Sequence, residues 1–377
     1  MEKIKTTHRR PTQDHSNATS KNHYDMVVFC HLRWQFVYQR PQHLISRMSK
    51  NMKILLIEEP IGKDPELGSA NLIEVSDTLH VLQPRTNTIE EIADILPEFL
   101  TDNKIKYGWF YSPAFVALLP SFEFEAVIHD CMDELSLFKG APVQLLEQEK
   151  YLLSNCDIVF TGGKSLYESK RKHHKNVFCF PSSVDQQHFA KAQNGIAIPS
   201  DIASIKGPIA GYFGVIDERI DLDLIAETAD SNPDISFVMI GPLAKIHQDD
   251  LPRRTNIHYL GMKSYEVLPA YLKAFSVALM PFALNDATKF ISPTKTLEYM
   301  AAGKPIISTA ITDVVRDYSH CVHIVADEKQ FTSALKSAIY NTDAIALNSN
   351  YEQILRKTSW DETVEKMAFL ITKTVLS

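Results

Sequence analysis

Ser292, Thr294, Lys295 and Glu298 fall in one short stretch between two apolar runs, Val277–Phe282 and Pro305–Thr309. Ser292 is a favourable N-cap, Pro293 suits a first helical position and Gly303 a helix stop, so the order predicted is strand, loop, helix, strand. A helix that follows a strand in such a crossover begins at the carboxyl edge of the sheet. There its free amides and dipole favour an anion such as phosphate. A lysine in the first turn opposes the dipole, so Lys295 points to an anionic ligand; the alternative is a pair with Asp286 or a solvated side chain. Ionised Glu298, one turn on, offers only acceptors, which suits the paired hydroxyls of a ribose; the alternative is an exposed helix position.

Three further groups carry polar chemistry. The run Val127–Leu135 leads from a strand directly into His129, Asp130, Asp133 and Glu134. Asp130 could take a hydroxyl proton or hold a sugar hydroxyl, and His129 could bond a sugar or diphosphate oxygen. Alternatively, Asp130 and Asp133 cap the next helix, or the cluster holds a divalent cation. In the loop after the first strand, Arg33, Trp34, Tyr38 and Arg40 combine aromatic faces with guanidinium forks, which suit a sugar ring and an anion. The competing arrangement packs Trp34 on its own domain and pairs Arg40 with Glu58 or Glu59. The run Ile209–Gly214 ends in a glycine that lets a ligand approach the backbone, with Arg219 just beyond. Arg219 can grip a phosphate through two N–H groups, or pair with Asp217, Asp221 or Asp223.

Positioning these residues requires an α/β chain. Apolar strand-like runs recur at Met26–Cys30, Met52–Ile57, Thr78–Leu82, Tyr107–Tyr111, Ala126–Ile128, Asp157–Thr161 and Asn176–Phe180, and again at 209–214, 237–242 and 257–261, with helical patterns between several of them. At 377 residues two domains are expected. The division reads as a polar, mobile tail over 1–23, a first Rossmann-like domain over 24–185, a linker over 186–207, a second Rossmann-like domain over 208–350 and helices over 351–377. No G-x-G-x-x-G follows the first strand, which disfavours a dinucleotide cofactor. With 45% apolar residues and a net charge of −7, the chain has no basic surplus for nucleic acid, which is not expected as a partner. The first 23 residues contain no apolar run, so neither a signal peptide nor a spanning helix is expected. Five scattered cysteines read as free thiols in a reducing cytoplasm. The basic run Lys170, Arg171, Lys172, His173, His174, Lys175 is either a solvated helix end or a contact with an anionic membrane surface.

From Asn256–Gly261 through Leu268–Tyr271 and Val277–Phe282 to Thr296–Pro305, the order and spacing resemble the C-terminal domain of the large retaining family of GT-B glycosyltransferases, often called glycosyltransferase family 4 or group 1. The resemblance implies two Rossmann-like domains facing each other across a cleft, with a nucleotide-sugar donor on the second and a saccharide or lipid-linked saccharide acceptor on the first. It implies a metal-independent hexosyltransferase acting with retention in cell-surface polysaccharide synthesis, in the cytoplasm or at the inner face of the membrane. The nucleotide-sugar is a substrate, so no cofactor is implied. The donor would be bound by Gly214, Arg219, Gly241, Pro242, Gly261, Met262, Ser292, Thr294, Lys295 and Glu298, with Trp34, Arg40 and Asp133 as candidate acceptor contacts. His129, Asp130, Arg219 and Lys295 would serve the reaction, and the last helix would brace the first domain. Two positions depart from the family: the first of its two glutamates falls on Phe290, and an arginine for the diphosphate on Val215. Asn285 or Asp286 could stand in for the first, and Lys295 for the second. A sugar-nucleotide epimerase, or a module that binds nucleotide or glycan without turnover, would share this architecture.

Overall fold

The computed structural model describes residues 21–341 and 343–375. Residues 1–20, most of the expected tail, lie outside that range. Its described end is held in place. Asn22 donates to the Phe99 carbonyl at 3.0 Å, its own carbonyl accepts from Thr101 at 3.1 Å, and its side chain accepts from Lys53 at 2.7 Å.

The first domain is built on β1 (Met26–Cys30), β2 (Ile54–Glu58), β3 (Ala70–Ser76), β4 (Leu79–Pro84), β5 (Lys104–Phe110), β6 (Glu123–Cys131), β7 (Ile158–Thr161) and β8 (Val177–Cys179). These form one sheet in the order β3-β4-β2-β1-β5-β6-β7-β8. All neighbours are parallel except the edge hairpin β3/β4. The alternation along β1 shows why the runs read as continuously apolar. Val27 and Phe29 enter one core, while Met26, Val28 and Cys30 enter the core on the opposite face. A parallel sheet covered on both sides leaves no face for polar residues.

The second domain is a six-stranded parallel sheet of β9 (Ile209–Phe213), β10 (Ser236–Ile240), β11 (Ile257–Gly261), β12 (Val277–Met280), β13 (Ile306–Thr309) and β14 (His323–Val325), ordered β11-β10-β9-β12-β13-β14. The order reverses beside β9, so the ends of β9 and β12 open the crevice where open α/β sheets bind ligands.

The stretch expected as a linker, 186–207, is folded. Asp185 caps the helix Gln186–Ala190 by accepting from the His188 amide at 3.3 Å. Phe189, Ala192 and Ile202 are buried in the second domain's core, so this stretch packs as part of that domain. The C-terminal helix Trp360–Val375 returns to the first domain. Trp360, Met367 and Ile371 join the core beside β1, and the Trp360 ring stacks on His43 at 4.6 Å. No described helix is long and apolar enough to cross a membrane.

Candidate active site

A cavity of about 310 Å³ lies in the cleft, lined by both domains. Its floor comes from the turns after β9 and β10. Gly214 and Gly241 have φ of +135° and +151°, and a Cβ on Gly241 would fall 1.8 Å from the Gly214 carbonyl oxygen. No side chain fits there, so the two turns nest closely and leave backbone facing the cleft.

The helix after β12 starts at Lys295, later than Ser292 and Pro293 had indicated, with Thr294 at the cap position and no side-chain capping bond. Gly303 ends it at φ +66°. Among the described residues, the amides of Ser292, Thr294 and Lys295 donate to no protein acceptor. Ser182 of the first domain reaches this turn instead, donating to the Ser292 carbonyl at 3.2 Å and accepting from the Thr294 hydroxyl at 3.1 Å.

Lys295 crosses the glycine turn. A Cβ on Gly214 would sit 2.6 Å from Lys295 Nζ, and the ammonium lies 5.6 Å from the centre of the Tyr212 ring. Burial holds its pKa below the usual lysine value, opposed by the charge of Glu298. Lys295 thus brings a cation to the loop where Val215 supplies none. Glu298 is buried, and desolvation pushes its carboxyl up to about 7 against the pull of Lys295. Arg219 reaches the same cavity while its guanidinium bonds Asp217, Nε to Oδ1 at 2.9 Å and Nη2 to Oδ2 at 2.7 Å. The pairing with an acidic neighbour is therefore formed, with a quarter of the side chain still exposed. Pro242 and Met262 also line the cavity, whereas Gly261 does not; its carbonyl accepts from the Gly241 amide at 2.9 Å. Phe290 is absent from the lining.

On the first domain, Trp34 and Asp133 face the cleft. The loop that carries Trp34 is fastened by Glu58, which accepts from the Trp34 amide at 2.6 Å and from Arg33 at 3.1 Å. Burial pushes Asp133 up to about 6, opposed by Arg219. Two expectations need correction, those for Asp130 and His129. Asp130 is wholly buried and accepts from Arg40 Nε at 3.0 and 3.1 Å and from Nη2 at 2.8 Å, so it is closed to a substrate proton. Arg40 lines the cleft cavity as expected, while its guanidinium is bonded to Asp130 and to the Phe180 carbonyl at 2.7 Å, which adds a bracing role. His129 is equally buried, its Nδ1 bonded to the Phe110 carbonyl at 3.0 Å, and does not line the cleft cavity.

Beneath the cleft, one atom from each of His129, Cys131 and Glu149 lies within 4.8 Å of the others, a spacing that could hold a metal ion. Lys170 already neutralises this corner, 2.5 Å from Glu149 and 2.7 Å from Glu134. The same pairing withdraws Lys170 from the basic surface run, leaving Arg171, Lys172 and Lys175 exposed.

A second cavity of about 680 Å³ adjoins the first and shares the wall formed by Phe36, Gln39, Met132, Asp133, Val215 and Arg219. Of these only Asp133 and Arg219 carry charge. Tyr38 and Tyr265, stacked at 4.5 Å across the domains, also line the cleft cavity. Sequence reasoning missed Tyr265 and Ser182, because each acquires its position only when the domains meet.

The comparisons agree with this architecture. Residues 211–341 match the family model described as Glycosyl transferases group 1. Over 220 residues the chain is 22% identical to a Bacillus subtilis (strain 168) protein described as a teichuronic acid biosynthesis glycosyltransferase, TuaH. That match covers 53% of this chain and 54% of the relative, about half the length of each. Among solved structures, sucrose-phosphate synthase from Thermosynechococcus elongatus superposes with a TM-score of 0.65 at 16% identity, covering 92% of this chain and 98% of that one. Anabaena HepE, solved in complex with UDP and glucose, superposes with a TM-score of 0.66 at 12% identity, covering 93% and 100%. The fold is GT-B.

Proposed function

We propose that the protein transfers a sugar from a nucleotide-sugar donor, held by the second domain, to a saccharide or lipid-linked saccharide acceptor in the second cavity. The observation that carries this reading is the meeting of the two cavities at Asp133 and Arg219, with Lys295 on the donor side. The donor diphosphate would lie against the glycine turns and the amides around Thr294, its ribose hydroxyls on Glu298. As the bond from the anomeric carbon to phosphate breaks, its electron pair leaves with the diphosphate, and Lys295 and Arg219 stabilise the developing charge without requiring a metal ion. Asp133, kept weakly acidic by burial, is suited to accept from the incoming hydroxyl. The resemblance of the second domain to retaining transferases supports retention, and the teichuronic acid relative supports a role in cell-envelope polysaccharide. Exposed Arg171, Lys172 and Lys175 would hold the enzyme at the anionic inner face of the membrane.

The test incubates the protein with UDP-, GDP- and ADP-sugars, with and without saccharide acceptors, and measures free nucleoside diphosphate and transferred sugar. Acceptor-dependent transfer is the expected result. An isomerised sugar nucleotide would indicate an epimerase, and binding without turnover a recognition module.

The ionisation of Glu298 gives a second test. Its carboxyl titrates near 7, so the acceptor-only ionised form prevails above that pH and is lost as pH falls through it. Nucleoside diphosphate affinity should therefore fall about tenfold from pH 8 to pH 6. Glu298→Gln should bind weakly at both values, and calorimetry that finds wild type and variant with the same pH profile would remove Glu298 from the site.

A further inference from the structure

Past Asp133 the first domain sends a strap, Glu134–Ala141, across to the second. It is fastened there by the Lys139 amide, which donates to Glu218 Oε1 at 3.1 Å. One residue earlier, the Phe138 ring meets two cations of the second domain. The Arg219 guanidinium carbon lies 5.5 Å from its centre and the Lys245 ammonium 5.0 Å. Lys245 adopts φ +59°, in the left-handed region that lysine seldom occupies, and its ammonium is also 3.8 Å from Glu218. A ring shared by two cations is more than apolar filler, because the electron-rich face draws both charges to it. The same ring lines the second cavity.

We propose that Phe138 is a positioning residue for the donor diphosphate: through its ring the first domain holds Arg219, and with it Lys245, at the orientation in which Arg219 faces the phosphate. Phe138 does not line the donor cavity and acts through Arg219. Asp217 bonds the guanidinium and the Phe138 ring adjoins it as well, so a residue of the acceptor-side domain contributes to donor affinity. The inference rests on the donor-site reading above.

The test compares UDP, GDP and ADP binding by wild type, Phe138→Leu, Phe138→Tyr, Arg219→Ala and the double variant Phe138→Leu/Arg219→Ala, using calorimetry on the full chain. Leucine keeps an apolar wall and removes the ring face; tyrosine keeps the face. For the nucleotide that wild type binds, Phe138→Leu should raise Kd about fivefold, Phe138→Tyr should restore it, and in the Arg219→Ala background the leucine change should add nothing. A leucine variant that binds as wild type does, or one that loses the same factor with Arg219 already absent, overturns the inference while the donor site stands. Wild type that binds none of the three nucleotides overturns the donor site and this inference together.

Discussion

Replacing Lys295 with alanine should lower turnover by about two to three orders of magnitude, the range seen when one preorganised group facing developing charge is removed. The ammonium lies across the Gly214 turn, where the diphosphate would dock, and Arg219 beside it is already bonded to Asp217. Lys295 is thus the less neutralised of the two cations. Burial disfavours its charged form, so folding gains little from that charge and the alanine variant should melt close to wild type. Arginine at this position should recover only part of the activity, because the glycine nest leaves a narrow path for the side chain and the fork cannot follow the ammonium's course. Turnover measured at saturating donor separates the effect from binding. Near-normal turnover in Lys295→Ala would remove the residue from the chemistry.

The second large effect is on stability. Arg40→Ala should destabilise the protein by about 3–5 kcal/mol, the penalty of leaving a buried carboxylate without its partner. Asp130 is fully buried, and the Arg40 guanidinium is its bonded cation, with side-chain exposures of 0% and 3% respectively. The pair ties the first helix, Arg40–Met48, to the end of β6, and through the Phe180 carbonyl to the segment that leaves the first domain. Urea denaturation followed by circular dichroism measures the loss. The double variant Arg40→Leu/Asp130→Leu should regain most of it, since two apolar residues leave no charge unpaired. If Arg40→Ala instead lowered activity at unchanged stability, Arg40 would be an acceptor contact and not a brace.

Much of the donor half could be read from local pattern. Apolar runs ending in Gly214 and Gly241, and a strand followed by a helix with Lys295 and Glu298 in its first turn, carry their own geometry, because a βα unit presents its turn at the sheet's carboxyl edge wherever the remaining chain lies. The edge strand β3 escaped notice because its run, Ala70–Ser76, is half exposed and broken by Asn71 and Glu74.

Local pattern determined two α/β domains, the places where backbone approaches a ligand, and the cation and carboxylate at the head of one helix. Tertiary structure decided which polar groups remained available. Asp130 reads as a candidate proton acceptor until a residue 90 positions away neutralises it, and Lys170 belongs to a solvated basic run until Glu134 and Glu149 enclose it. Periodicity encodes which way a side chain faces, but the chemistry of a charge depends on the opposite charge within a few ångströms, and long-range packing supplies that partner.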